Sequence, residues 1–225
     1  MTTPTPQTAR LWSLGLALAL AACSSQPPAP DWQMNAHGAA HKAVQAYLSG
    51  ENRVAALEFA RARQETARTG QPALLAQVHL LECAAQVASL EMAPCSAFDA
   101  LRPDASAAQT AYADYLAGVL APQAAALLPP GQQAVALATE GNAATALAAI
   151  ADPWSRLVAA GVLLRTGRAS PHTMELATDT ASAQGWRRPL LAWLLLQAQR
   201  AEQAGDTQTA AKLHRRIAVV EQGGD

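Results

Sequence analysis

Alanine sets the limits on this chain: 56 of its 225 residues are Ala, against two isoleucines (Ile150, Ile217) and two phenylalanines (Phe59, Phe98). Strands depend on β-branched and aromatic side chains packed on a pleated surface, whereas alanine loses no side-chain entropy in a helix and favours it most. The composition therefore predicts an all-α fold. Sixteen basic residues face seventeen acidic ones, and no basic stripe stands out, so nucleic acid is excluded as an expected partner.

Helix boundaries follow from proline and glycine. Asp152-Pro153 and Ser170-Pro171 each place a capping side chain before a first-turn proline, which predicts helices over 153–165 and 171–183. Others are expected over 41–48, 53–68, 72–90, 105–120 and 189–204, with a last one from Gly205-Asp206 to about residue 220. The run Leu190, Leu191, Trp193, Leu194, Leu195, Leu196 is apolar nearly all round, so the helix over 189–204 is expected to be the central, most buried one.

The first thirty residues have a separate logic. Arg10 precedes an almost wholly apolar stretch from Leu11 to Ala22, the layout of an export signal and well short of the ~20 residues that span a bilayer. Leu20-Ala21-Ala22-Cys23 resembles the lipobox of bacterial lipoproteins. The resemblance implies cleavage before Cys23, a diacylglycerol on its thiol and acylation of the new amine. Two or three acyl chains hold a protein stably on a membrane where a single one is marginal. Ser24, where an Asp would retain the protein in the inner membrane by enterobacterial rules, implies the periplasmic face of the outer membrane. Ser24 to Pro30 is polar and proline-rich, as suits an extended tether. The expected organisation is a signal over 1–22, lipidated cysteine and tether over 23–36, a helical domain over 37–221 and a tail over 222–225. Trp32 is expected to be exposed in the tether.

Three junctions repeat a spacing: Gly50 precedes Ala55, Gly141 precedes Ala146 and Gly205 precedes Ala210, each by five. This is similar to the turn of a tetratricopeptide repeat, where glycine reverses the chain and alanine admits close packing. The spacing between the glycines departs from that family's ~34-residue period. The resemblance implies helical hairpins stacked as a short solenoid, with an irregular helical bundle as the alternative. Asp152-Pro153-Trp154-Ser155-Arg156-Leu157 and Gly185-Trp186-Arg187-Arg188-Pro189-Leu190 further resemble stretches of alanine-rich lipoproteins of β-proteobacteria, which implies no particular reaction.

With Cys23 assigned to lipid, Cys83 and Cys95 remain as a pair. In an oxidising compartment they are expected to form a disulfide; reduced buried thiols and a redox or metal pair are the alternatives. No nucleophile elbow, His-Glu-x-x-His, phosphate-binding glycine loop or zinc framework is present, and neither cofactor nor metal is expected. His37 and His41 lie four apart and would share a helix face; they are read as solvated, with a metal site as the alternative, and Glu175 and Asp179, likewise four apart, are either a carboxylate pair or a solvent-facing acidic stripe. Trp193 is assigned to the core. Trp186 with Arg187 and Arg188 is either a partner contact or a staple for the following helix. Together these features predict a lipid-anchored, non-enzymatic scaffold or adaptor that binds an envelope protein or peptide. The alternative is a cell-wall (peptidoglycan) hydrolase or its regulatory domain. A deep cleft with paired carboxylates would mark the hydrolase, a shallow groove lined by arginine and aromatic side chains the adaptor.

Overall fold

Eleven α-helices and two 3-10 turns account for most of residues 29–223, which the computed structural model describes. The expected signal segment, the lipobox and Cys23 lie outside the described residues. No strand occurs among the described residues, and the fold is all-α. None of the described helices is long and apolar enough to cross a membrane.

The first helix, α1 (Asp31–Ser49), begins inside the segment expected to be tether. Its buried residues Ala36, Ala39, Ala40, Ala43 and Val44 fall at helical spacing, so small side chains form the inward stripe and carry the helix back beyond its bulky residues. Asp31 in the first turn favours the positive end of the helix dipole. Trp32, expected to be exposed, is partly buried. Helix α2 (Asn52–Ala67) follows Gly50, then α3 (Pro72–Ala88), α4 (Ser96–Asp99), a 3-10 turn (Arg102–Asp104) and α5 (Ala107–Ala117). A second 3-10 turn (Pro122–Leu127) leads into α6 (Pro130–Leu137), α7 (Ala143–Ala148), α8 (Pro153–Arg165), α9 (Pro171–Gln184), α10 (Arg187–Gln203) and α11 (Thr207–Gln222).

Chain neighbours pack as hairpins: α2 on α3, α8 on α9, α9 on α10, and α10 on α11. Two of the glycine junctions share one geometry. Gly50 and Gly205 adopt left-handed φ of 88° and 74°, the next amides reach back to the carbonyls of Ala46 and Ala201 at 2.8 and 2.9 Å, and Ala55 and Ala210 are buried. That is the helix-terminating arrangement in which glycine escapes the Cβ penalty. Gly141 does not share it: it precedes the six-residue α7, and Ala146 is only partly buried. The long-range packing of α3 on α8 adds a contact that a strictly nearest-neighbour solenoid lacks.

Helix α8, not α10, is the central one. Every residue from Leu157 to Leu163 is buried, because this uncharged run of small and aliphatic side chains is enclosed by α3, α5, α6, α7 and α9. Gly161 meets α3 so closely that a Cβ there would stand 2.3 Å from the Val87 carbonyl oxygen. In α10, Trp193 and Leu194 are fully buried but Leu195 is 51% exposed, since among the described helices α10 packs chiefly against α9 and α11. Cys83 and Cys95 stand at disulfide distance, Cα atoms 5.9 Å apart, where α3 approaches the start of α4.

Candidate functional site

Two adjoining hollows form a groove at the start of α8. One, of about 440 Å³, lies between Gln77 and Leu81 of α3, Gln109 and Tyr112 of α5, Leu127, and the first turn of α8. The other, of about 380 Å³, is bounded by His37, His41 and Gln45 of α1, by Asp152 and by Trp186. Leu81 and Trp154 line both. The two cavities are thus one surface with a shared partition.

The start of α8 fixes that partition. Asp152 accepts the Ser155 amide at 2.8 Å and Pro153 occupies the first turn, so the cap holds Trp154 at the helix entrance. A buried polar strut supports it from behind. The Tyr115 hydroxyl donates to Gln132 Oε1 at 2.6 Å, and Gln132 Nε2 donates to the Ser155 carbonyl at 2.9 Å. Because the intermediate amide is 2% exposed, losing either partner would leave a buried polar group unmatched, which makes the link specific as well as stabilising.

Across the groove, Ser106 and Gln109 cap α5 reciprocally, and Gln109 Nε2 reaches α3, donating to the Ala73 carbonyl at 2.8 Å and to Gln77 Oε1 at 3.2 Å. Burial raises the Tyr112 phenol above its ordinary pKa.

Trp186, Arg187 and Arg188 do not form a free contact surface. Trp186 is 6% exposed and its indole donates to Gln45 Oε1 at 3.0 Å. Arg188 donates to the Tyr47 carbonyl at 2.8 Å, stacks over the Tyr47 ring at 4.2 Å and pairs with Glu91 at 3.1 Å. Arg187 is partly buried, with Nη2 3.4 Å from the Glu221 carbonyl. These side chains clamp the start of α10 to the end of α1 and to α11, while Trp186 also lines the second hollow. Their acceptors are 141 residues away in sequence for Trp186 and for the Arg188–Tyr47 bond.

His37 and His41 are exposed and share a face of α1 at the rim of the second hollow. Among the described residues no three His, Cys, Asp or Glu side chains converge as a metal site. Glu175 and Asp179 are exposed on α9 and line neither hollow. Asp152 is the one carboxylate among the described lining residues, and of the arginine and aromatic side chains expected to mark an adaptor, that lining has the aromatic ones, Tyr112, Trp154 and Trp186, and no arginine. Tyr112 and Gln109 carried no signal in the sequence, and Leu81 only that of an apolar helix position, because only the packing of α3, α5 and α8 brings them together; Trp154 carried a signal as a large aromatic beside a helix cap. No protein-family model, curated protein or solved structure matches the chain.

Proposed function

We propose that the protein is a lipid-anchored, non-enzymatic adaptor of the bacterial envelope that receives an extended segment of a partner polypeptide in the groove at the start of α8. The observation that carries this reading is the sharing of Leu81 and Trp154 by two hollows, which makes the surface elongated with an apolar midpoint. Aromatic side chains at such a position supply much of the affinity in protein recognition. Side-chain amides of Gln77 on one side, and Gln45 and Gln184 on the other, line the same surface, and amides both donate and accept as peptide groups require. With no lysine or arginine in the described lining, the groove suits a segment of low net charge. A two-carboxylate hydrolase would need a second acid opposite Asp152, and the described lining residues offer none. The lipobox resemblance at Cys23 supports the anchor and, with Ser24, the periplasmic face of the outer membrane.

Site-specific photocrosslinking in cells tests this function. A photoreactive residue at Tyr112 and another at His41 should capture the same polypeptide, while one at Glu175, outside the groove, should not. Cys23→Ser should lower the yield if anchoring brings the partners together. Groove positions that capture nothing beyond the Glu175 control would refute the adaptor reading.

A further inference from the structure

Helix α11 carries a second surface that the groove does not use. Lys212, Arg215, Arg216 and Val219 follow at helical spacings of three and four, which sets them in one stripe. With Leu190 and Leu194 of α10, Ser182 of α9 and Val220, they surround a hollow of about 400 Å³. Its floor is apolar, since Leu190 and Leu194 are buried. At its edge Val219 is 70% exposed.

The charge at the rim is uncompensated. Several arginines elsewhere are paired: Arg63 with Glu82, Arg68 with Glu65, Arg102 with Asp99 and Asp114, and Arg188 with Glu91. Lys212, Arg215 and Arg216 form no ion pair with a described residue, and no carboxylate lines the hollow. His214, on the opposite side of the same helix, is the one that meets an acid, Glu202, at 2.7 Å.

A row of three cations beside the exposed Val219 complements a ligand that is anionic and apolar at once. We propose that this stripe of α11 is a contact surface for a bilayer of anionic phospholipid, with headgroup phosphates on Lys212, Arg215 and Arg216 and Val219 directed at the interface. Charge alone would suit an acidic peptide equally; the exposed Val219 beside the cations favours lipid. The proposal stands on α11 and does not require Cys23 to be acylated. If Cys23 is acylated, the stripe supplies the basic second signal that strengthens a lipid anchor. Three cations near an anionic surface contribute on the order of 100-fold to contact, at about 1 kcal/mol each.

The test uses the full chain with Cys23→Ser, so that a thiol introduced by Val219→Cys takes an environment-sensitive dye, reconstituted on vesicles. On phosphatidylglycerol vesicles the dye emission should shift to the blue, and on phosphatidylcholine vesicles it should not. Lys212→Gln, Arg215→Gln and Arg216→Gln together should abolish the shift, Lys212→Gln alone should weaken contact several-fold, and raised salt should reverse it. Circular dichroism of the triple variant checks that these rim substitutions leave the fold intact. Equal emission on the two lipids, or a shift that survives in the folded triple variant, would overturn the proposal. A shift produced by polyglutamate on phosphatidylcholine vesicles, with none on phosphatidylglycerol, would assign the stripe to an acidic polypeptide and overturn it equally.

Discussion

Replacing Gly161 with alanine places one methyl group against the backbone of another helix. The new Cβ would lie 2.3 Å from the Val87 carbonyl oxygen and 2.9 Å from both the Val87 carbonyl carbon and its Cγ1. Ordinary contact at 3.4 Å or more therefore requires α3 and α8 to separate by about 1 Å, enough on the dispersion potential to forfeit a quarter to a half of each well. The Val87 carbonyl also accepts the Leu90 amide at 3.1 Å, so it does not swing aside freely. Overpacking costs typically 1–3 kcal/mol, and about 3 kcal/mol applies where the obstacle is backbone. Against this, alanine gains about 1 kcal/mol over glycine in helix propensity. The net expectation is a loss of about 2 kcal/mol, or roughly 4–8 °C in Tm for a domain of this size. Gly38→Ala in α1 is the control, since a Cβ there meets nothing within 4 Å; it should gain up to about 1 kcal/mol. Urea denaturation followed by far-UV circular dichroism measures both. A Gly161→Ala variant as stable as the parent, beside a stabilised Gly38→Ala, would refute the argument that backbone contact sets the spacing of these helices.

Two further outcomes follow from the region around α3. Cys83→Ser with Cys95→Ser should destabilise the oxidised protein by about 3 kcal/mol, the chain-entropy value for a loop of this length, and the same change should be silent when the parent is unfolded in reductant. His79, beside this pair, has its pKa lowered from 6.5, chiefly by burial and then by Arg63. A lowered folded-state pKa means that the unfolded chain binds the proton more readily, so stability present above pH 6.5 is lost as pH falls through that value toward the folded pKa. His79→Asn should flatten this part of the stability profile in pH-dependent urea titrations; an unchanged slope would assign it to other groups.

Legibility in the sequence followed the locality of the cause. The span 153–165 was predictable residue for residue because Asp152, Pro153 and Arg165 mark both ends within the element itself. Helix α1 started earlier than expected because its inward stripe is mostly alanine, which contributes little to an apolar pattern in a chain already a quarter alanine. The rank of α10 as the most buried helix failed for a different reason: apolar residues all round a helix predict burial only where there are neighbours to cover them, and Leu195 has none over much of its surface. The groove was the least legible part. Its partition residues, Leu81 and Trp154, are 73 positions apart, and no periodicity connects them. The same distance effect made Trp186 and Arg188 resemble surface side chains, since Gln45 and Tyr47, which hold them, belong to the other end of the chain.

The contact between Gly161 and Val87 also constrains how this surface can diversify. Leu81 and Trp154 belong to the same two helices, six and seven residues before Val87 and Gly161 respectively, or about two turns along each. Where large core side chains separate two helices, exchanging leucine for valine or phenylalanine adjusts the gap between them in small steps. Here the gap is already at the limit set by main chain against main chain, so core exchanges can prise it open but cannot tune it. Variation in what the groove accepts would then have to come from its banks, at exposed positions such as His37, His41 and Gln184, whose side chains can change without moving the helices beneath them. In a family descended from this chain, the glycine would be expected to stay fixed while the banks drift.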